Sequence, residues 1–202
     1  MTGKKRPDAL SVAWDIFRRG DPAAMARAGG AAWDKQKEEL SISYLGKRYL
    51  VSATAGVLDP AGRPAAFNAA TLILQYLACA SGLPPRGQWL AFLELPEGVL
   101  HHVPFLEQVL NPLALSFGSR GESFTEAGRL LGGRALTLGH RSFVVEALPR
   151  LPLAVVLWEQ DEEFSARTNI LFDTVAPASL STAALWVLGQ ELANDLIEAA
   201  GR

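Results

Sequence analysis

The chain has 202 residues, 49% of them hydrophobic and 20% charged, and its 19 Lys+Arg against 21 Asp+Glu give a net charge of −2. Those values fit one globular domain with a sizeable core and exclude disorder as its main state. So even a balance supplies no global field for nucleic acid or an anionic membrane, and neither is expected as a partner.

The basic start, Met1 to Arg6, runs into Pro7-Asp8 rather than an apolar stretch and does not read as a secretory signal. Ala9, Leu10, Ala13, Ile16 and Phe17 recur at helical spacing from Asp8 to Arg19, where Gly20 stops them. Asp21-Pro22 restarts a helix over Ala23 to Ala28 that Gly29-Gly30 ends, and Ala31 to Glu39 suits a third, anchored by Trp33. The period then falls to two: Leu40, Ile42 and Tyr44 alternate with polar partners, Gly46-Lys47 turns, and Arg48 to Ser52 returns, predicting a β-hairpin. The turn cluster Asp59 to Pro64 leads to an apolar helix over Ala66 to Ser81, expected to be central and buried and to end at Gly82. Asn68, Thr71, Gln75 and Tyr76 interrupt that helix too often for it to span a bilayer, so a cytoplasmic location is expected. It carries the lone cysteine, Cys79, which excludes an intrachain disulfide or a cysteine-built cluster and is expected to be a small, buried, unreactive side chain.

Gly87 to Leu95 reads as a strand, Pro104 to Phe117 as a helix broken near Asn111 by Pro112, and Ser123 to Leu131 as a short helix. Ala135–Leu138, Phe143–Leu148 and Leu153–Trp158 are strands, and the joint Leu148 to Pro152 is too short for a crossover, so the last two pair antiparallel. Six consecutive apolar residues make Leu153–Trp158 a central strand covered on both faces. Ser181 or Thr182 caps a final helix with Leu185, Leu188, Leu192 and Leu196 on one stripe. Helices at both ends and in the middle, without strict βαβ alternation, define an α+β fold: a mostly antiparallel sheet packed with helices, one domain over residues 1–202, with a helical part at 1–39.

Chemistry concentrates between Leu153 and Asp173. The apolar run ending at Trp158 breaks into Glu159, Asp161, Glu162 and Glu163, and a second apolar triplet ends at Asp173. Carboxylates at the edge of a core either lie in a solvated loop, where Asp161 would cap a turn or pair with Arg167, or hold something positive. In the second case Asp161, Glu162, Glu163 and Asp173 supply charge, for Mg²⁺ or Ca²⁺ among other cations, and Trp158 and Phe164 supply apolar contact. Asp161 and Asp173 both follow apolar runs and are the expected discriminating pair; Glu159 is expected to be solvated. His101, His102 and His140 could ligate a haem or corrinoid axially, or be surface and capping residues. No nucleophile elbow, phosphate loop or dinucleotide fingerprint is present.

Trp158-Glu159-x-Asp161-Glu162-Glu163-Phe164 with Asn169 to Asp173 resembles the signature of a prokaryotic family known only as a domain of unknown function, common in anaerobes including sulfate reducers and acetogens. Gln75-Tyr76-Leu77, Gly87 to Phe92, Leu131 to Gly133 and Leu148 to Pro152 match further segments of that family, and the likeness covers about residues 65–196. Some relatives carry an iron–sulfur segment whose cysteines this chain lacks. The family has an acid where this chain has His140, and Thr-Glu where it has Thr182-Ala183. The expected function is a small-ligand or partner-binding accessory protein with its site at the acid-rich edge. The alternatives are a divalent-metal enzyme with Asp161 or Glu162 as general base, and a haem or corrinoid binder through a histidine.

Overall fold

The computed structural model describes residues 8–201; the basic start of the chain lies outside them. Helix α1 (Ala9–Phe17) begins where Asp8 accepts the Ser11 N–H at 2.8 Å. Helix α2 (Pro22–Gly29) begins where Asp21 accepts from Ala23 and Ala24, and Gly30 ends it in the left-handed region. The expected third helix is instead strand β1 (Ala32–Asp34) and a turn, because the Asp34 carboxylate accepts the Gln36 and Lys37 N–H groups and closes the chain on itself.

Strands β1, β2 (Glu39–Tyr44), β3 (Lys47–Ser52) and β4 (Gly56–Leu58) form an antiparallel meander in chain order. The register sets Leu40 opposite Val51 and Ile42 opposite Tyr49, so one face is buried. At the β2–β3 tip Leu45 and Gly46 both take positive φ, 48° and 74°, the geometry of a tight hairpin turn. This conformation is costly for leucine, but burial of the side chain and an N–H donated to the Ala147 carbonyl at 2.9 Å oppose the strain.

The second sheet runs β5-β9-β8-β7-β6, antiparallel throughout: β5 (Trp89–Ala91), β6 (Arg134–Ala135), β7 (Arg141–Leu148), β8 (Leu151–Trp158) and β9 (Arg167–Asp173). As expected, β8 is the central strand, with Val155 and Val156 both buried although they face opposite ways. Pro152, which has no N–H to give, sits beside the register shift between Glu146 and Leu148. Strand β5 is shorter than expected. After Ala91 the chain tightens into one turn, Phe92–Glu94, where the Glu94 carboxylate accepts the Ala91 N–H at 2.7 Å.

Helix α3 (Phe67–Cys79) is buried along most of its length. Helix α4 (Gly98–Phe105) continues through a π-turn into α5 (Asn111–Phe117), with the Asn111 N–H reaching back to Leu106. The extra residue in that turn makes room for Pro112, so the expected break becomes a bulge in an unbroken helical path. Helix α6 (Gly121–Leu130) and α7 (Thr182–Ala200) complete the chain; Ser181 caps α7, whose Leu185, Leu188, Leu192 and Leu196 are fully buried. Both sheets and helices α1 to α7 contribute to one continuous core.

Cys79 departs from expectation: it is exposed. It lies in the last turn of α3, on the side turned toward Ile16 and the loop Pro177–Ser181 and away from the core that takes Tyr76 and Leu77. A thiol reagent should therefore label the native protein at close to the rate of the unfolded chain; a rate slower by orders of magnitude would contradict this placement.

Tyr76 ties the layers together. Its hydroxyl donates to the Gly29 carbonyl and accepts the Arg150 N–H, both at 3.1 Å, joining α2, α3 and the β7–β8 turn. The Arg150 guanidinium reaches on to the Gly82 and Arg27 carbonyls. Tyr76→Phe leaves the buried Gly29 carbonyl unpaired, which should cost about 1–3 kcal/mol, and the part-buried Arg150 N–H at a smaller cost, measured by denaturant unfolding. Burial pushes the Tyr76 phenol up to about 12, an effect Arg150 partly opposes. The unfolded phenol ionises near pH 10, so this stabilisation is complete below that and is lost as pH rises from about 10 to 12. Tyr76→Phe should flatten that part of the alkaline stability profile.

Candidate functional site

The β8–β9 connection, residues 159–166, holds the acid cluster. Its first residue is not solvated as expected. Glu159 pairs with Arg141 at 3.0 Å, and its N–H donates to His140 Nδ1 at 3.0 Å. A Cβ on Gly121 would fall 1.6 Å from the Glu159 carboxylate and 2.3 Å from Arg141 Nε, so glycine at the first position of α6 is what lets this pair sit there. A carboxylate beside a helix N-terminus is favoured by the helix dipole. The Gln160 N–H donates to the Gly118 carbonyl, tacking the loop to the α5–α6 junction.

Asp161 closes a turn: its carboxylate accepts the N–H groups of Glu163 at 2.9 Å and Phe164 at 2.7 Å, and its own N–H donates back to the Phe164 carbonyl. The N–H groups of Phe164 and Glu163, with His140 adding less, hold its carboxyl below the usual range. Glu162 and Glu163 point into solvent, Phe164 is exposed, and Trp158 is half-buried at the end of β8. Arg167, the other partner considered for Asp161, stands opposite Trp158 in the ladder.

Asp173 is elsewhere. It ends β9 opposite Trp89 and is fully buried, accepting N–H groups from Arg86 at 2.9 Å, Gly87 at 2.7 Å and Val175 at 3.1 Å. The whole of β9, roughly 20 Å at about 3.3 Å per residue, separates it from the acid loop. The expected pair is therefore not brought to a common point: Asp161 shapes a surface turn, and Asp173 anchors the segment entering β5. Among the described residues, no group of three or more His, Cys, Asp or Glu is placed to hold a metal ion. His101 packs against Trp186 with ring centroids 5.7 Å apart, and His102 Nδ1 is buried without a partner, while His140 serves the acid loop.

One surface was not foreseen. Val99 and Leu100 are 71% and 73% exposed, Val103 is 60% exposed, and Leu106 and Leu93 are also exposed. Val99, Val103 and Leu106 share one side of α4 and its π-turn by their i, i+4, i+7 spacing. Gly98 lies against the Phe92–Leu93 backbone, where a Cβ would fall 2.1 Å from the Phe92 carbonyl, and this brings Leu93 to the patch. The opposite side of α4 is also apolar: Phe105 is fully buried and stacks on Phe92 at 4.1 Å. Periodicity did not expose this surface, since it began the helix at Pro104 and gave Val99 to Val103 no face; the signal available was an unbroken absence of Lys and Arg from Gly87 to Ser119.

Fold and surface define a class: an α+β protein with one large apolar helical surface and an acid-rich loop shaped by its own backbone. More particularly, residues 21–195 match the family described as domain of unknown function (DUF3786), and the chain belongs to that family. Neither a curated protein nor a solved structure matches the chain.

The two aspartates separate cleanly in a stability measurement. Asp173→Ala leaves the buried Val175 N–H unpaired, which should cost about 1–3 kcal/mol, and frees the part-buried N–H groups of Arg86 and Gly87 at a smaller cost. Asp161→Asn should shift the melting temperature only slightly, and equally with and without added Mg²⁺ or Ca²⁺. A cation-dependent loss in Asp161→Asn would restore the metal reading of the loop.

Proposed function

We propose that the protein is a cytoplasmic accessory protein that binds a partner protein through the outer face of α4, and that the partner presents an apolar segment flanked by lysine or arginine. The observation that carries this reading is the run of large aliphatic side chains, Leu93, Val99, Leu100, Val103 and Leu106, left in solvent on a helix whose other side is core. Clustered exposed apolar surface of this kind is uncommon on proteins that act alone.

Charge selects the partner. Glu94, Glu97 and Glu107 flank the patch, and α7, reached through the His101–Trp186 contact, carries no Lys or Arg. Such a rim repels an anionic membrane and a second copy of itself, and attracts a basic flank. No helix among the described residues is long and apolar enough to cross a membrane.

The test uses two synthetic amphipathic peptides with the same leucine face, one flanked by lysines and one by glutamates. The lysine peptide should shift the backbone NMR signals of Val99 to Leu106 and bind at least about tenfold more tightly than the glutamate peptide, less so at high salt. Leu100→Ser with Val103→Ser should abolish binding without lowering the melting temperature, because both side chains are already exposed. Equal binding of the two peptides, no binding of either, or a self-dimer dissolved by the double variant would each overturn the proposal.

A further inference from the structure

The acid loop is fastened at its first residue by a bond that only one charge state of a histidine can make. The Glu159 N–H donates to His140 Nδ1 at 3.0 Å. A ring nitrogen accepts only while it carries no proton, so the imidazole in this arrangement is neutral and keeps its proton on Nε2. Protonation makes both ring nitrogens donors, and two N–H groups would then face each other.

The acceptor belongs to the sheet and the donor to the loop. The His140 N–H donates to the Leu157 carbonyl at 3.0 Å, extending the ladder in which Arg141 stands opposite Leu157. Gly139 takes a φ of 57° and lies so close to β8 that a Cβ there would fall 2.7 Å from Val156 Cγ1. His140 is thereby fixed against the end of β8, while its side chain stays open to water and to protons. Residues 160–165 of the loop are exposed throughout.

The charges around the ring give its protonated form partners of its own. On the loop, the Asp161 carboxyl is held below its usual range by the Phe164 and Glu163 N–H groups and, after them, by the His140 charge. The Glu159 carboxylate pairs with Arg141 of β7 at 3.0 Å. Helix α6 meets that pair through Gly121, which brings no charge. Of the residues flanking Gly121, Arg120 reaches the Ser116 carbonyl and Glu122 lines a groove with Ala199 and Ala200. Glu162 and Glu163 lie in solvent, and Arg167 stands opposite Trp158. A charged ring thus loses one backbone N–H and stands among carboxylates.

We propose that His140 is a pH-sensitive latch on the acid loop: neutral, it pins the loop to the sheet by the Glu159 backbone; protonated, it releases that N–H and turns to the carboxylates of Glu159 and Asp161. The bond is complete above the titration of the ring and is lost as pH falls through it. The latch is separate from the α4 surface and does not depend on it.

A hydrogen bond between two nitrogens transmits a nitrogen–nitrogen spin coupling, which reads this bond directly by NMR. In the full chain, the coupling between the Glu159 amide and His140 Nδ1 should be present at about pH 8 and absent at about pH 5, disappearing with the neutral form of the ring. Hydrogen exchange at the Glu159 amide, corrected for its intrinsic pH dependence, should lose protection several-fold over the same interval, while that of Val156 in β8 stays level. His140→Asn supplies a carbonyl acceptor that does not titrate and should keep the Glu159 protection level; His140→Ala should lack it at both ends. A coupling absent at about pH 8, a coupling that persists on a ring whose own signals show it protonated, or protection retained in His140→Ala would each overturn the proposal. So would the same loss of protection in His140→Asn, which would move the effect to the carboxyl groups.

Discussion

Three layers of this protein meet at one phenol. The Tyr76 hydroxyl is both donor and acceptor, to Gly29 at the end of α2 and from Arg150 in the β7–β8 turn, so a side chain of the buried central helix fixes both a helix end and the turn of the larger sheet. The geometry is demanding because the bond to Gly29 lies away from water, where an unmade hydrogen bond is costly, and the one from Arg150 is only part-exposed. Arg150 extends the same junction to Arg27 and Gly82, closing the ends of α2 and α3 onto the turn. With that corner fixed, the β2–β3 tip can reach Ala147, and α7 can pack along α3, α5 and α6 with Asp195 held to Lys47, 148 positions away in the chain.

Elements with a strong period or a definite cap were legible in the sequence. The α1 and α2 starts at Asp8 and Asp21, the β2–β3 hairpin (its turn at Leu45-Gly46, one residue before the expected Gly46-Lys47), the central strand β8 and the leucine stripe of α7 all follow from rules that act within a few residues. The segment after Gly30 misled because lysine and glutamate suit a helix, whereas Asp34 used its side chain to close a turn. Cys79 misled because its apolar neighbours described the helix but not which side of its last turn faces out: Leu77 is buried there and Cys79 is exposed.

The acid cluster was legible as a place and not as a geometry. Sequence puts Asp161 and Asp173 each after an apolar run, but one follows the end of β8 and the other closes β9, so an antiparallel pairing sends them to opposite ends of the two strands. The solvated-loop alternative, with Asp161 capping a turn, describes what the side chain does. The exposed side of α4 was hidden for a different reason: Val99, Leu100 and Val103 have the composition of a core, and burial is decided by what arrives from elsewhere in the chain.

The strand order of the larger sheet also bears on how the chain reaches this state. Strands β7, β8 and β9 follow one another through short connections and pair as neighbours, so the centre of the sheet can form locally. Strand β5 cannot: Trp89 must wait for Asp173, with everything from α4 to β9 lying between them in the chain. The buried Asp173 carboxylate, which gathers the N–H groups of Arg86 and Gly87, is then the latch for the slowest loop closure in the sheet. Until it closes, the edge of β9 is open to pairing with another chain, and crowded nascent molecules are most exposed to misassembly in that interval.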